Sequence, residues 1–215
     1  EGRSGYLMPL HVSLEMRLSD LIGVDNQRDQ LGRNTKQFLD GLPANHALLW
    51  GSRGTGKSSI IRALLAEYGH AGLRLIEIER DHLADLPRVV EQLQGLPQRF
   101  VLFCDDLSFE AGESDYRVLK SVLDGSLEQA PDNVLLYATS NRRHLVPEKE
   151  SDNENWKNVD GELHPNEAVE DKIALSDRFG LWLSFYPFTQ DHFLSVVEHW
   201  IEVLARKAGL QWQRD

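Results

Sequence analysis

Gly51-Ser52-Arg53-Gly54-Thr55-Gly56-Lys57-Ser58 is a complete G-x-x-x-x-G-K-S phosphate-binding loop. Ala47-Leu48-Leu49-Trp50 before it reads as a short buried strand, and Ile60, Ile61, Ala63, Leu64 and Leu65 after it supply the apolar face of a helix. The motif requires that order of strand, loop and helix. Glycines at 51, 54 and 56 let successive backbone N–H groups turn toward one anion, and the helix opening near Lys57 adds the positive end of its dipole. Lys57 is placed to meet the β- and γ-phosphates, and the Ser58 hydroxyl to take one position on Mg²⁺; Ser52, Arg53, Thr55 and Ser59 complete the nucleotide-binding set. At average residue usage the four fixed positions recur by chance in about one chain in a hundred of this length, and the flanking elements lower that rate.

The 215 residues, about two-fifths of them apolar, are enough for one substantial core and a small appendage. No apolar stretch approaches the ~20 residues of a membrane span, and no basic segment followed by a hydrophobic run opens the chain, so a cytoplasmic protein is expected. The single cysteine, Cys104, lies inside an apolar run and reads as packing. A net charge of −11 argues against a broad basic surface wrapped around nucleic acid.

From the start of the chain, residues 1–9 have no periodic pattern, and Val12, Leu14, Met16 and Leu18 alternate with polar residues as a short extended piece. It leads to Leu21-Ile22-Gly23-Val24, of which Ile22 and Gly23 are candidates for an apolar slot around a base. A helix is predicted from Asp25, with Asp25 as its N-cap, to Gly41. Beyond the loop helix, Leu73, Leu75, Ile76 and Ile78 mark a strand. A helical pattern runs from His82 to Leu96, and Phe100-Val101-Leu102-Phe103-Cys104 is a continuous apolar strand. Tyr116, Leu119, Val122, Leu123 and Leu127 give another helix, and Val134 to Ala138 a further buried strand. Strands alternating with helices build a parallel sheet covered on both faces, with ligands beyond the carboxyl ends of the strands.

Two further strand ends then point toward the crevice that holds Lys57. Asp105, after the apolar run, has the position of an acid that holds Mg²⁺ through its water shell, and a helix N-cap is the plainer reading. Asp106 is the candidate for orienting the attacking water. Thr139, Ser140 and Asn141 end the next strand with neutral hydrogen-bonding groups; Asn141 is suited to that water or a γ-phosphate oxygen, or else simply forms a turn.

The chain resembles AAA+ ATPases, and over nearly its whole length the DUF815 group among them. The resemblance rests on residues 34–38, 43–45, the loop 51–59, Cys104-Asp105-Asp106-Leu107-Ser108-Phe109-Glu110 and Ala138-Thr139-Ser140-Asn141-Arg142-Arg143-His144-Leu145. It implies an α/β fold: a P-loop, three-layer αβα core with a five-stranded, mainly parallel sheet, followed by the start of a helical lid. The expected divisions are 1–44 as lead-in and helix, 45–187 as the nucleotide-binding core and 188–215 as the beginning of a lid that the sequence leaves incomplete. It further implies that Asp105 and Asp106 are the Walker B acids, Asn141 the sensor 1 residue, and Arg178 an arginine finger acting on a neighbouring subunit's nucleotide. A surface arginine paired with Asp177 is the plainer reading of Arg178.

Where AAA+ ATPases usually carry Glu, this chain has Asp106, one methylene shorter, so slow hydrolysis or a role for Glu110 is expected. The lid pattern through Phe193, Val196, Val197, Trp200, Ile201 and Leu204 stops without a sensor 2 arginine, and an exposed apolar face is expected on it. Residues 147–174 are rich in Glu, Asp and Asn and read as a long polar loop. The resulting expectation is a homo-oligomer that binds Mg·ATP and hydrolyses it slowly at subunit interfaces through Asp106, Asn141 and Arg178, remodelling or loading a protein or nucleic-acid partner. The alternative is a nucleotide-gated switch that binds ATP or ADP with little turnover; a small-molecule kinase shares the loop but leaves Asn141 and Arg178 unexplained.

Overall fold

Apolar runs alternate between two faces of one sheet. The computed structural model describes residues 7–9, 16–107, 115–123, 131–141, 157–159, 162–164 and 177–212. Its strands are β1 (Ala47–Gly51), β2 (Leu73–Glu77), β3 (Arg99–Cys104), β4 (Val134–Ser140), β5 (Lys157–Val159), β6 (Glu162–His164) and β7 (Leu181–Phe185). Five of them form a parallel sheet in the order β2-β3-β4-β1-β7, while β5 and β6 pair antiparallel as a separate hairpin. β1 lies between β4 and β7, with Leu48 opposite Ala138 on one side and Trp182 on the other.

Because side chains alternate along a strand, the core divides in two. Leu48, Leu102, Leu136 and Ala138 face one cluster, completed by Leu86, Val90 and Leu93 of α3 (Leu86–Leu93) and Leu119 and Val122 of α4 (Asp115–Leu123). Ala47, Leu49, Val101, Phe103, Leu135, Leu183 and Phe185 face the other, with Leu31 and Phe38 of α1 (Asp25–Leu39) and Ile60, Ile61 and Leu64 of α2 (Lys57–Tyr68). This is the three-layer arrangement that the resemblance implies. The residue pattern identifies four of the five sheet strands. The fifth, β7, is an edge strand only partly buried at Leu181, Trp182 and Ser184, so it lacks the unbroken apolar signature of β3 and β4.

Two element starts differ from expectation. Asp25 opens α1 without a side-chain cap; its carboxylate instead lies 2.8 Å from Arg28, one turn on. The pattern from His82 resolves into a 3₁₀ segment, Arg80–Asp85, followed by α3. Pro87 fixes that boundary, since it is tolerated in a first helical turn and would remove an internal hydrogen bond from a helix begun at His82.

Asn34 and Thr35 fasten α1 to the sheet. Asn34 Nδ2 donates to the Asn45 carbonyl at 2.8 Å and to the Tyr137 hydroxyl at 3.0 Å, its Oδ1 accepts the Asn45 N–H at 2.9 Å, and Thr35 Oγ1 lies 2.9 Å from the same hydroxyl. Burial pushes the Tyr137 phenol up to about 12, so it stays a neutral member of this cluster. Beside it, His46 Nδ1 accepts the Leu136 N–H at 2.9 Å and the His46 carbonyl accepts the Leu181 N–H at 3.1 Å, joining β4 and β7 ahead of β1.

The last helix, α5 (Gln190–Lys207), begins with the Thr189 hydroxyl accepting from His192 N–H. Phe193, Leu194, Val197, Ile201 and Leu204 are exposed along it, the apolar face expected from its pattern. His199 Nε2 lies 3.4 Å from Asp20 Oδ1, linking α5 to the 3₁₀ turn Leu18–Asp20 before α1. The extended piece expected at 12–18 falls largely outside the described residues, as do Ser108–Glu110, Arg142–His144 and all of 147–174 except the hairpin.

Candidate nucleotide site

β1 ends at Gly51, whose φ of 132° turns the chain into the loop. Thr55 Oγ1 donates to the Ser52 carbonyl at 2.7 Å and closes it, and Gly56, at φ 94°, stands in the left-handed conformation immediately before α2. The Lys57 side chain folds back across this loop. It is only 7% exposed, and Nζ donates to the Gly51 carbonyl at 2.9 Å, the Ser52 carbonyl at 2.7 Å and Asn141 Oδ1 at 3.3 Å. Burial lowers its pKa, with Asp106 and Asp105 pulling the other way.

The acids converge on the same place. Ser58 Oγ donates to Asp105 Oδ1 at 2.7 Å, and the buried Thr139 hydroxyl donates to that same oxygen. Thr139 Oγ1 also accepts the Asp106 N–H at 2.9 Å, and the Leu107 N–H reaches the Thr139 carbonyl at 2.7 Å. The end of β4 thus holds both acids at the end of β3. Asp105 Oδ2 lies 4.0 Å from Arg62, which is also 3.3 Å from Glu77 and sits over the Phe103 ring. Among the described residues Asp106 is the non-glycine residue with positive φ, 50°. Its Oδ1 accepts from Asn141 Nδ2, and its Oδ2 lies 3.7 Å from Arg53.

These groups surround a cleft of about 250 Å³. Arg53, Gly54, Gly56, Lys57, Ser58 and Ser59 line it from the loop side. Asp105, Asp106, Thr139 and Asn141 line it from the strand ends. Two features were not read from the sequence. Thr139 bridges the two acids because Cys104 stands opposite Ala138, which sets Asp105 beside Thr139; the register carries that signal and the residue type does not. Arg62 faces Asp105 because it lies one helical turn beyond Ser58, a spacing visible in the sequence.

Three predicted residues lie elsewhere. Ile22 and Gly23 sit between the first 3₁₀ turn and α1, where a Cβ on Gly23 would come 3.6 Å from the Phe188 ring. Arg178 is half-buried just before β7, whose first residue, Leu181, pairs with Ala47 at the start of β1. It therefore stands at the opposite end of the sheet from its own chain's phosphate loop.

A phosphate loop on β1, paired acids at the end of β3 and a polar end to β4, on a parallel sheet ordered β2-β3-β4-β1-β7, define the P-loop fold of AAA+ ATPases. The chain belongs to the family described as protein of unknown function DUF815, whose family model matches residues 1–215. It is similar in structure to RuvB of Thermotoga maritima, the Holliday junction branch migration motor, with a TM-score of 0.56 and 16% identity over 89% of this chain and 55% of that one. It is also similar to the Orc1 protein of Aeropyrum pernix, solved in complex with DNA, with a TM-score of 0.61 and 17% identity over 85% of this chain and 50% of that one. The chain spans about half the length of these structures. A comparison with curated proteins finds no match. Among the described residues no helix is long and apolar enough to cross a membrane.

Proposed function

We propose that the cleft binds ATP with Mg²⁺ and that the chain hydrolyses the terminal phosphate slowly within a homo-oligomer, using the cycle to remodel or load a partner. The observation that carries this reading is the convergence of Lys57, Ser58, Asp105, Asp106 and Asn141, from three separate segments, on one small cleft. Loop amides and Lys57 meet phosphate charge, with Lys57 exchanging the Gly51 and Ser52 carbonyls for phosphate oxygens. Ser58 and Asp105 fit Mg²⁺, because a hydroxyl and a carboxylate oxygen 2.7 Å apart are hard oxygen donors already brought together. Bound there, the ion would neutralise charge developing on the phosphates. Asp106 is assigned to orient water and accept its proton, and Asn141, between Lys57 and Asp106, to hold that water or a γ-phosphate oxygen.

Arg178 supports the oligomer reading, since its place at the far end of the sheet leaves a neighbour's site as the one it can serve. The partner is a protein or a nucleic acid. RuvB is a Holliday junction branch migration motor and Orc1 was solved in complex with DNA, whereas the net charge of −11 disfavours a broad nucleic-acid surface on this chain, so salt-dependent DNA or RNA binding separates the two. Calorimetry with Mg·ATP tests the site: Lys57→Ala should remain folded and lose at least about 100-fold in affinity. Unchanged affinity in that variant would remove the assignment.

A second reading, a nucleotide-gated switch with little turnover, draws on the engagement of Asp106 by both Asn141 and Arg53. A multiple-turnover phosphate-release assay decides between them.

A further inference from the structure

Arg53 stands at one of the loop positions that the phosphate-binding pattern leaves free, so the demands of the loop do not explain it. It lines the cleft beside Lys57, and its Nη2 lies 3.7 Å from Asp106 Oδ2. The other Asp106 oxygen accepts from Asn141, and Asn141 Oδ1 accepts from Lys57 Nζ. Asp106 is thus clamped between a guanidinium and an amide, on a backbone at φ 50°, a left-handed conformation that Asp enters more readily than most non-glycine residues. In this arrangement the polar groups suited to a terminal phosphate and its attacking water satisfy one another.

We infer that Arg53, given the nucleotide site proposed above, is a positioning residue that reads the γ-phosphate within its own subunit. Without a triphosphate it holds Asp106 in the clamp; a third phosphate group takes over the guanidinium and frees the carboxylate to orient water. The exposures of the two partners favour that exchange. With side chains 82% and 59% exposed, the Arg53–Asp106 pair is a solvent-screened contact that is easily given up. A phosphate offers the guanidinium the parallel two-point contact it prefers. Lys57, by contrast, is buried on two loop carbonyls and meets either a diphosphate or a triphosphate. A diphosphate carries no γ-oxygens and leaves the clamp closed.

The test compares a non-hydrolysable ATP analogue with ADP, both with Mg²⁺, on the wild-type chain, Arg53→Ala and Arg53→Lys by calorimetry. Arg53→Ala should lower affinity for the triphosphate analogue about tenfold and change that for ADP by less than about twofold, with Arg53→Lys between wild type and Arg53→Ala. The exposed side chain makes loss of folding an unexpected outcome, and a thermal melt matching wild type checks it. Equal losses for both nucleotides, or none for either, overturn the role of Arg53 and leave the nucleotide site standing. Failure of the wild-type chain to bind either nucleotide overturns the site itself.

Discussion

Gly51 and Phe185 touch backbone to backbone: the Phe185 carbonyl accepts the Ser52 N–H at 3.0 Å, and a Cβ placed on Gly51 would stand 1.9 Å from that oxygen. The phosphate loop is therefore seated on the last strand of the sheet. Gly51→Ala should cost about 3 kcal/mol in urea unfolding and weaken ATP binding with it, because neither backbone can yield without breaking the β1–β7 ladder. Gly54→Ala, where nothing lies within 4 Å of the added carbon, should cost only the positive-φ penalty of about 1 kcal/mol. Equal losses would sink the close-approach account.

Asp106→Asn should retain Mg·ATP binding through Lys57, Ser58 and Asp105 while turnover falls about 10²- to 10⁴-fold, since the change removes a proton acceptor and leaves the phosphate and metal ligands in place. Glu110 lies outside the described residues. A chain whose phosphate release survives Asp106→Asn and is abolished by Glu110→Gln places the base on Glu110.

Arg178→Ala should lose about 10³-fold in turnover with nucleotide affinity little changed, because a finger acting on a neighbour stabilises the transition state far more than the ground state. Mixing Arg178→Ala, which keeps its phosphate loop, with Lys57→Ala, which keeps its arginine, should restore phosphate release. No recovery on mixing, together with full activity in Arg178→Ala alone, makes Arg178 a surface residue.

Burial lowers the His46 imidazole from 6.5 to about 4, and its Nδ1 accepts a hydrogen bond that the protonated ring cannot accept. Between those values the unfolded chain binds a proton that the folded chain refuses. The His46 contribution is therefore complete above about pH 6.5 and is lost as the pH falls toward 4, by an amount on the order of 2–3 kcal/mol. Urea unfolding at pH 7 and pH 5 should show a steeper decline for wild type than for His46→Gln; identical declines would rule this out.

What could be read in advance divides along a physical line. The loop, Lys57 and Ser58 form a contiguous motif, and β3 and β4 are buried on both faces, so their apolar runs announce them. Asp105 and Asp106 follow because strand ends face ligands. Thr139, Arg62 and Arg53 acquire their partners only when register and helix phase are set, which residue types alone do not specify. β7 stayed hidden because an edge strand need not be apolar throughout, and α3 began late because Pro87 can occupy a first turn and not a second.

The pairing of β1 with β7 also sets an order of events in folding. Gly51 finds Phe185 across more than half the chain, so this contact closes late, after local helices and the β3–β4 pairing can already have formed. During synthesis the segment that would grip phosphate stays without its seat until β7 has emerged. Removing β7 would leave Ser52 without the carbonyl its N–H meets.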